Sequence, residues 1–356
     1  MALFDSLADT LWKYVTYDIA IDLGTANTLV YILGKGVVIR EPSTVAIHKK
    51  TKEVITVGAE AKRMIGKTPA NIIAIRPLKD GVISDFDATE AMLTYFIKKI
   101  HKSRGLFNIK IPKPRVAIGI PSGITEVERK AVIDATLRSG ARKVFLIEEP
   151  MAAAIGAGLS VEEATGNMIV DIGGGTSEMA VISLGGIVVS RSIRVAGDEF
   201  DEEIIAWAKQ KHNLLIGTKT AEDAKITIGA VMPHDLESEL QTTTIRGRDL
   251  KTGLPKEITV SEDDIAEALE QPIKLIIENI KDTIEETPPE LISDLYANGI
   301  ILTGGGSLLK RLDQRIAKAT QMPVTRDEDP LTTVVRGCGK TLEEIDLLNK
   351  VRVLQS

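Results

Sequence analysis

Cysteine is almost absent from this sequence. Cys338 stands alone among 356 residues, which excludes a disulfide framework and any metal cluster built on thiolates. A reducing compartment such as the cytosol fits. The four histidines, His48, His101, His212 and His234, are scattered without the spacing of a metal motif such as HExxH. No run of about 18 apolar residues occurs, so no segment reads as a transmembrane helix. The N-terminus carries Asp5 and Asp9 and lacks the basic start and unbroken apolar stretch of a signal peptide. Aromatic residues make up only 4%, and 44 Lys and Arg are outnumbered by 50 Asp and Glu, for a formal net charge of −6. Wrapping a nucleic acid or stacking its bases is therefore not expected. Neither a GxxxxGK[ST] loop nor a GxGxxG fingerprint is present, which disfavours Walker-type and Rossmann nucleotide binding.

What the chain does have is length and apolar content, 44% of it hydrophobic. That is enough to bury a substantial core and excludes a disordered or fibrous protein. At roughly 150 residues per domain, about two domains are expected. Strand-like and helix-like segments alternate, which predicts an α/β fold. Residues 18–23 alternate apolar and polar side chains and read as a strand. A turn at 24–27 and a return strand over 28–33 follow. Thr125 with Glu128 reads as a capping box opening a helix to about residue 139. A strand over 143–147 precedes Glu148-Glu149-Pro150 and an alanine-rich helix over 151–158. Further on, Ser261 is expected to cap a long helix to about 286 bent by Pro272. Ser307 is expected to cap a helix to about 319, and a last helix should run over 331–348.

The opening pattern returns. Asp22-Leu23-Gly24-Thr25-Ala26-Asn27 and Asp171-Ile172-Gly173-Gly174-Gly175-Thr176 are strand–turn–strand segments about one domain length apart. This reads as an internal duplication. A third glycine turn, Gly304-Gly305-Gly306, follows the strand expected over 299–303. Glycine turns at strand ends let backbone N–H groups approach phosphate oxygens, because no Cβ obstructs them. If the two halves pack as pseudo-symmetric lobes, their turns would pinch a triphosphate between them. Asp22 and Asp171 precede two of the turns and would repel phosphate unless a cation intervened. Neither turn contains a lysine, so Mg²⁺ held by phosphate oxygens and by waters that the aspartates orient is the economical solution. Hydrolysis also needs a positioned water. Glu149, at a strand end before Pro150, is the candidate to orient it, with Glu148 as its competitor. Thr176 is the candidate to hydrogen-bond the γ-phosphate or that water.

Two apolar features stand outside this constellation. Phe4, Leu7 and Leu11 recur at helical spacing with Trp12 beside them, an amphipathic segment that would either pack on the body or lie in a membrane surface. Leu106-Phe107 sits among Lys98, Lys99, Lys102, Arg104 and Lys110. It reads as a buried pair or as an apolar tip drawn to anionic lipid.

Taken together, the segments 22–27, 171–176 and 302–307 resemble the actin, heat-shock-protein-70 and sugar-kinase ATPase superfamily. More narrowly, residues 19–29, 148–158 and 212–217 resemble the MreB family of bacterial actins. The resemblance covers nearly the whole chain. It implies two ribonuclease-H-like domains around a nucleotide cleft: a membrane-binding segment over 1–17, a first lobe over 18–150, a second over 151–330, and a C-terminal helix over 331–356 packing back on the first. It implies ATP and Mg²⁺ as ligands, with Asp22 and Asp171 near the ion and Glu149 and Thr176 at the γ-phosphate. Contacts to the nucleotide would come from Gly24, Thr25, Ala26, Asn27, Gly173, Gly174, Gly175, Gly197, Asp198, Glu222, Lys225, Gly304, Gly305, Gly306, Ser307 and Leu308. It further implies antiparallel double protofilaments of the chain itself, slow ATP hydrolysis, and attachment to lipid on the inner face of the cell membrane. Membrane proteins of cell-wall elongation are the implied partners. A monomeric chaperone ATPase is a weaker alternative, since no substrate-binding domain is expected beyond Ser356. A small-molecule kinase would need a base and an acceptor pocket that no residue marks.

Overall fold

The computed structural model describes residues 17–101, 114–234 and 239–353. Phe4, Leu7, Leu11, Trp12, Leu106 and Phe107 lie outside these described residues. The chain divides into two compact units, one formed by residues up to 161 together with those from 332 onward, the other by residues 162–331.

The first unit is built on a five-stranded sheet. Its strands are β1 (Ile19–Leu23), β2 (Asn27–Ile32), β3 (Gly36–Pro42), β4 (Arg115–Ile120) and β5 (Lys143–Glu148), in spatial order β5-β4-β1-β2-β3. β1 runs antiparallel to β2 and parallel to β4, and β4 is parallel to β5. Every residue of β4 is buried, as expected of a central strand covered on both faces. The helix Phe86–His101 lays Met92, Leu93, Phe96 and Ile97 into that core. At the start of the sheet Asp18 and Arg115 form a buried ion pair. The Arg115 amide donates to Asp18 Oδ1 at 3.2 Å and its Nε to Oδ2 at 2.9 Å, which pins the beginnings of β1 and β4 together.

Residues from 332 onward return to this unit. The helix Thr333–Glu343 crosses the helix Glu149–Gly156 at a point where side chains would not fit. A Cβ on Gly156 would run into the Thr333 carbonyl, and one on Gly337 would run into that of Ala152. Two glycines therefore allow the backbones to touch.

The second unit repeats the plan. Its sheet comprises β6 (Asn167–Ile172), β7 (Ser177–Ser183), β8 (Gly186–Ile193), β9 (Ile300–Thr303) and β10 (Val324–Arg326), in order β10-β9-β6-β7-β8. The pairings match strand for strand: β6 is antiparallel to β7 and parallel to β9, and β9 is parallel to β10. Even the irregularity recurs, with a register shift in β2–β3 at Val30/Tyr31 and in β7–β8 at Val181/Ile182. The duplication expected from the two hairpins extends to whole sheets.

Several expected elements change. The capping box of Thr125 with Glu128 forms, and Ser261 caps its helix through a second box with Asp264. The long helix after Ser261 is two, Glu262–Ala268 and Glu270–Glu286, broken at Leu269. Pro272 falls in the first turn of the second, where its missing N–H costs nothing, so it starts a helix rather than bending one. Pro289 does the same for the helix Pro289–Asn298. Ser307 does not cap a helix. Its hydroxyl donates to the Gly304 carbonyl at 2.7 Å within a 3₁₀ turn, Gly305–Leu308. The next helix, Leu312–Thr320, begins beyond it. The last helix is also two, Thr333–Glu343 and Ile345–Val351.

Candidate functional site

In the first unit the turn after β1 is held from beneath. The Ser43 hydroxyl donates to the Gly24 carbonyl and the Ser43 amide donates to that of Ala26 at 3.0 Å. Gly24 has no room for a side chain, since a Cβ would lie 2.7 Å from the Asn27 carbonyl. Thr25 is buried, its hydroxyl accepting from the Gly81 amide at 2.9 Å, while Asn27 is exposed. Asp22 pairs in register with Gly119 of β4. A Cβ on Gly119 would sit 3.1 Å from Val334 Cγ1 and 3.4 Å from Glu149 Cγ. The bare position is thus filled by neighbours, among them the Glu149 side chain. Glu149 opens its helix and is 9% exposed. Burial pushes the Cys338 thiol well up, and the nearby Asp22 and Glu149 carboxylates add to it. Glu148, the last residue of β5, is half-buried. Desolvation raises its pKa against the opposing charge of Arg129.

The second unit brings its candidate residues into one connected group. Parallel pairing of β6 with β9 sets Asp171 opposite Thr303, so the turns that follow these strands are neighbours. Gly173 donates to the Thr176 carbonyl at 2.9 Å and closes its turn. The helix Gly197–His212 begins against this turn: the Gly197 amide donates to the Gly173 carbonyl at 3.2 Å and the Asp198 amide to that of Gly174 at 2.7 Å. Lys225, on the helix Thr218–Ile228, donates to the Gly197 carbonyl at 2.6 Å and ion-pairs with the buried Asp201 at 2.8 Å. Burial raises the Asp201 carboxyl to about 6 against the pull of Lys225, with Glu222 and Asp198 raising it further. Gly304, at φ 77°, packs onto Asp171 and Ile172, where a Cβ would overlap them. Ser307 is buried and Leu308 exposed.

Asp171 is 6% exposed and burial pushes its carboxyl from 3.8 up to about 6, with a hydrogen bond from Thr303 pulling the other way. A carboxylate this deep is costly unless a cation or strong donors offset the lost water. The chemistry of the donors fits an ion carried by phosphate and water. Among the described residues no three His, Cys, Asp or Glu side chains converge as a metal cluster, and the glycine positions leave main chain bare beside the aspartate.

Sequence reasoning passed over two polar residues beside Asp171. Thr303 is fully buried, and Glu178, 1% exposed, lies directly across the β6–β7 pair. A charged residue within an otherwise apolar strand, in the segment right after Thr176, was the available signal for Glu178. Thr303 carried none, because only the pairing of distant strands brings it to Asp171.

A family model described as MreB/Mbl protein matches residues 16–350. The cell shape-determining protein MreB of Escherichia coli (strain K12) is 51% identical over 334 residues, 93% of this chain and 94% of its own length. The cell shape-determining protein Mbl of Bacillus subtilis (strain 168) is 50% identical over 333 residues, 94% of this chain and 98% of its own. Among solved structures, MreB5 of Spiroplasma citri bound to AMPPNP matches with a TM-score of 0.85 at 40% identity, covering 93% of this chain and 97% of that one. A MamK double helical filament shares the fold alone, with a TM-score of 0.77 at 23% identity over 92% and 99% of the two chains.

Proposed function

The chain belongs to the MreB/Mbl family and has its actin-like α/β fold, and from that premise we propose that it is a cytoskeletal, cell-shape protein that binds ATP with Mg²⁺, polymerises, and hydrolyses the nucleotide slowly. The observation that carries this reading is the matched pair of sheets, each presenting an aspartate at a strand end followed by a turn that opens on a glycine whose Cβ would crowd the turn's own carbonyl. The Spiroplasma citri relative was solved with AMPPNP and, in another crystal, with ADP, which supports a nucleotide as the ligand.

The residues assigned to it are Gly24, Thr25, Ala26 and Asn27 in the first unit. In the second they are Gly173 to Thr176, Gly197, Asp198, Glu222, Lys225 and Gly304 to Leu308. Backbone N–H groups of the turns would take phosphate oxygens. The N-terminus of Gly197–His212 adds a favourable dipole for negative charge at the turn it abuts. Asp22 and Asp171 would orient waters on the ion, which itself offsets phosphate charge. Glu149 would hold the attacking water, with Thr176 hydrogen-bonding at the γ-phosphate. Glu149 packs over Gly119, and a side chain held by its neighbours suits an orienting group.

Membrane attachment is part of the same reading. Among the described residues no helix is long and apolar enough to cross a bilayer. Residues 17 and 114, where the described chain resumes after the two apolar segments, lead into the paired strands β1 and β4, with Ile19 opposite Val116. In this proposal both segments touch lipid, and two weak contacts on one chain reinforce each other. Polymerisation would multiply them further. Antiparallel paired protofilaments and contacts to membrane proteins of cell-wall elongation complete the proposal. Purified protein with ATP and Mg²⁺ on anionic vesicles should form paired filaments by electron microscopy. Protein that stays monomeric under all such conditions overturns it.

A further inference from the structure

We propose that Thr303 is a positioning residue for the ion-bearing side of the nucleotide site, its hydroxyl fixing the orientation of the Asp171 carboxylate. The inference rests on the reading that nucleotide and Mg²⁺ bind beside Asp171. Thr303 is the last residue of β9 and stands opposite Asp171 in the parallel β6–β9 register. Its Oγ1 donates to Asp171 Oδ1 at 2.9 Å, between two buried side chains. Threonine is β-branched and stiff at χ1, so the donor itself has little freedom. The next residue, Gly304, closes the other side, because a Cβ there would occupy the space of Oδ1. Oδ1 is thus enclosed by a hydroxyl and a bare backbone, which leaves Oδ2 as the oxygen that would address a water on the ion.

The first unit shows what the alternative looks like. The position equivalent to Thr303, opposite Asp22, is Gly119, which supplies no hydroxyl and instead admits Glu149. One strand-end aspartate is pinned by a neighbour. The other shares its surroundings with the carboxylate assigned to the attacking water.

A hydroxyl that merely satisfied a buried group would affect folding without affecting the ion. Titrations of ADP and ATP by calorimetry, across a magnesium series and in EDTA, separate the two. Thr303→Val keeps the shape and removes the donor. It should raise the magnesium concentration needed for half-maximal tightening of nucleotide by about tenfold, as expected for loss of a hydrogen bond to a charged group. Affinity in EDTA should stay as in the unsubstituted protein, and Thr303→Ser, which restores the donor, should return the magnesium requirement to within about threefold. An unchanged magnesium requirement in Thr303→Val, or an equal loss with and without magnesium, overturns the assignment. Should Thr303→Val not fold, Thr303→Ala, which also lacks the donor, is read in the same way. A raised requirement supports the role and an unchanged one overturns it. Unsubstituted protein that binds nucleotide without regard to magnesium overturns the parent reading as well, an outcome distinct from a failure of the variant alone.

Discussion

The two units carry the same sheet, strand for strand, and differ in what surrounds the equivalent aspartates. Asp171 is buried against a threonine hydroxyl and a glycine, within one connected group of turns and helix starts. Asp22 is less buried and lies among Gly119, Glu149 and Cys338, close to the crossing of two helices. A duplicated scaffold has thus been specialised by its neighbours rather than by its hairpins. The second unit holds a static carboxylate, and the first leaves room for an acid from another element.

The comparison is broken most severely at Glu149. Glu149→Ala should lower ATP turnover by about two to four orders of magnitude, the usual loss for a proton-handling or water-orienting carboxylate, while ATP still binds. Phosphate-release assays alongside nucleotide titration check both halves. Undiminished turnover removes Glu149 from the role and the functional difference between the units with it.

Next in size is the clamp at the start of the first sheet. Asp18→Ala leaves Arg115 buried without its partner and should cost about 3–5 kcal/mol of stability, read by denaturant titration. A cost below about 1 kcal/mol would mean that this pair is no more than a surface-like ion pair.

Making the units alike is a gentler test. Gly119→Thr places in the first unit what the second carries. It should cost about 1–3 kcal/mol through overpacking against Val334 and Glu149 and slow hydrolysis with ADP affinity unchanged. A variant of full stability and full turnover would show that the bare position has no such purpose.

The last effect is one of pH. The Asp171 carboxyl lies near 6 in the fold against 3.8 when exposed, so the folded protein holds the proton more tightly than the unfolded chain. Burial of this carboxylate therefore costs nothing below about pH 4, and the cost grows to its full size above about pH 6. Nucleotide-free Asp171→Asn should be more stable than the parent at pH 7.5, by up to about 3 kcal/mol, with the gain vanishing toward pH 4. Thermal melts at several pH values measure this. A gain independent of pH would sink the assignment of the cost to ionisation.

The hairpins were legible because their signal is local. An alternating strand, a glycine turn and a return strand lie in one short stretch of consecutive residues, 18–33, and the same pattern recurs. The capping box at Thr125 was legible for the same reason: the partner lies three residues away. Elements without such punctuation were read less well. The short helix Ala59–Met64 has a glycine at its N-cap and no side-chain cap. Pro289 opens the helix Pro289–Asn298, and a proline in the string is ambiguous because it stops one helix and starts another with equal ease. Ser307 had the look of an N-cap, yet its hydroxyl closes its own turn.

Among the candidate residues, proximity in the second unit was only half readable. The glycines announced a turn, but nothing in the string tied Lys225 to Gly197 or Thr303 to Asp171. Glu178 was passed over because it follows the turn, where attention to glycine and aspartate ends.

By itself the sequence determined the repeated strand–turn–strand, the aspartate before each turn and the α/β alternation, since these depend on residues within a few positions of each other and on which of them tolerate a tight bend. The tertiary structure alone decided which residues stand beside each aspartate. Parallel pairing joins strands 97 residues apart in the first unit and 132 in the second, and only when those strands come together does a glycine or a threonine become a carboxylate's neighbour.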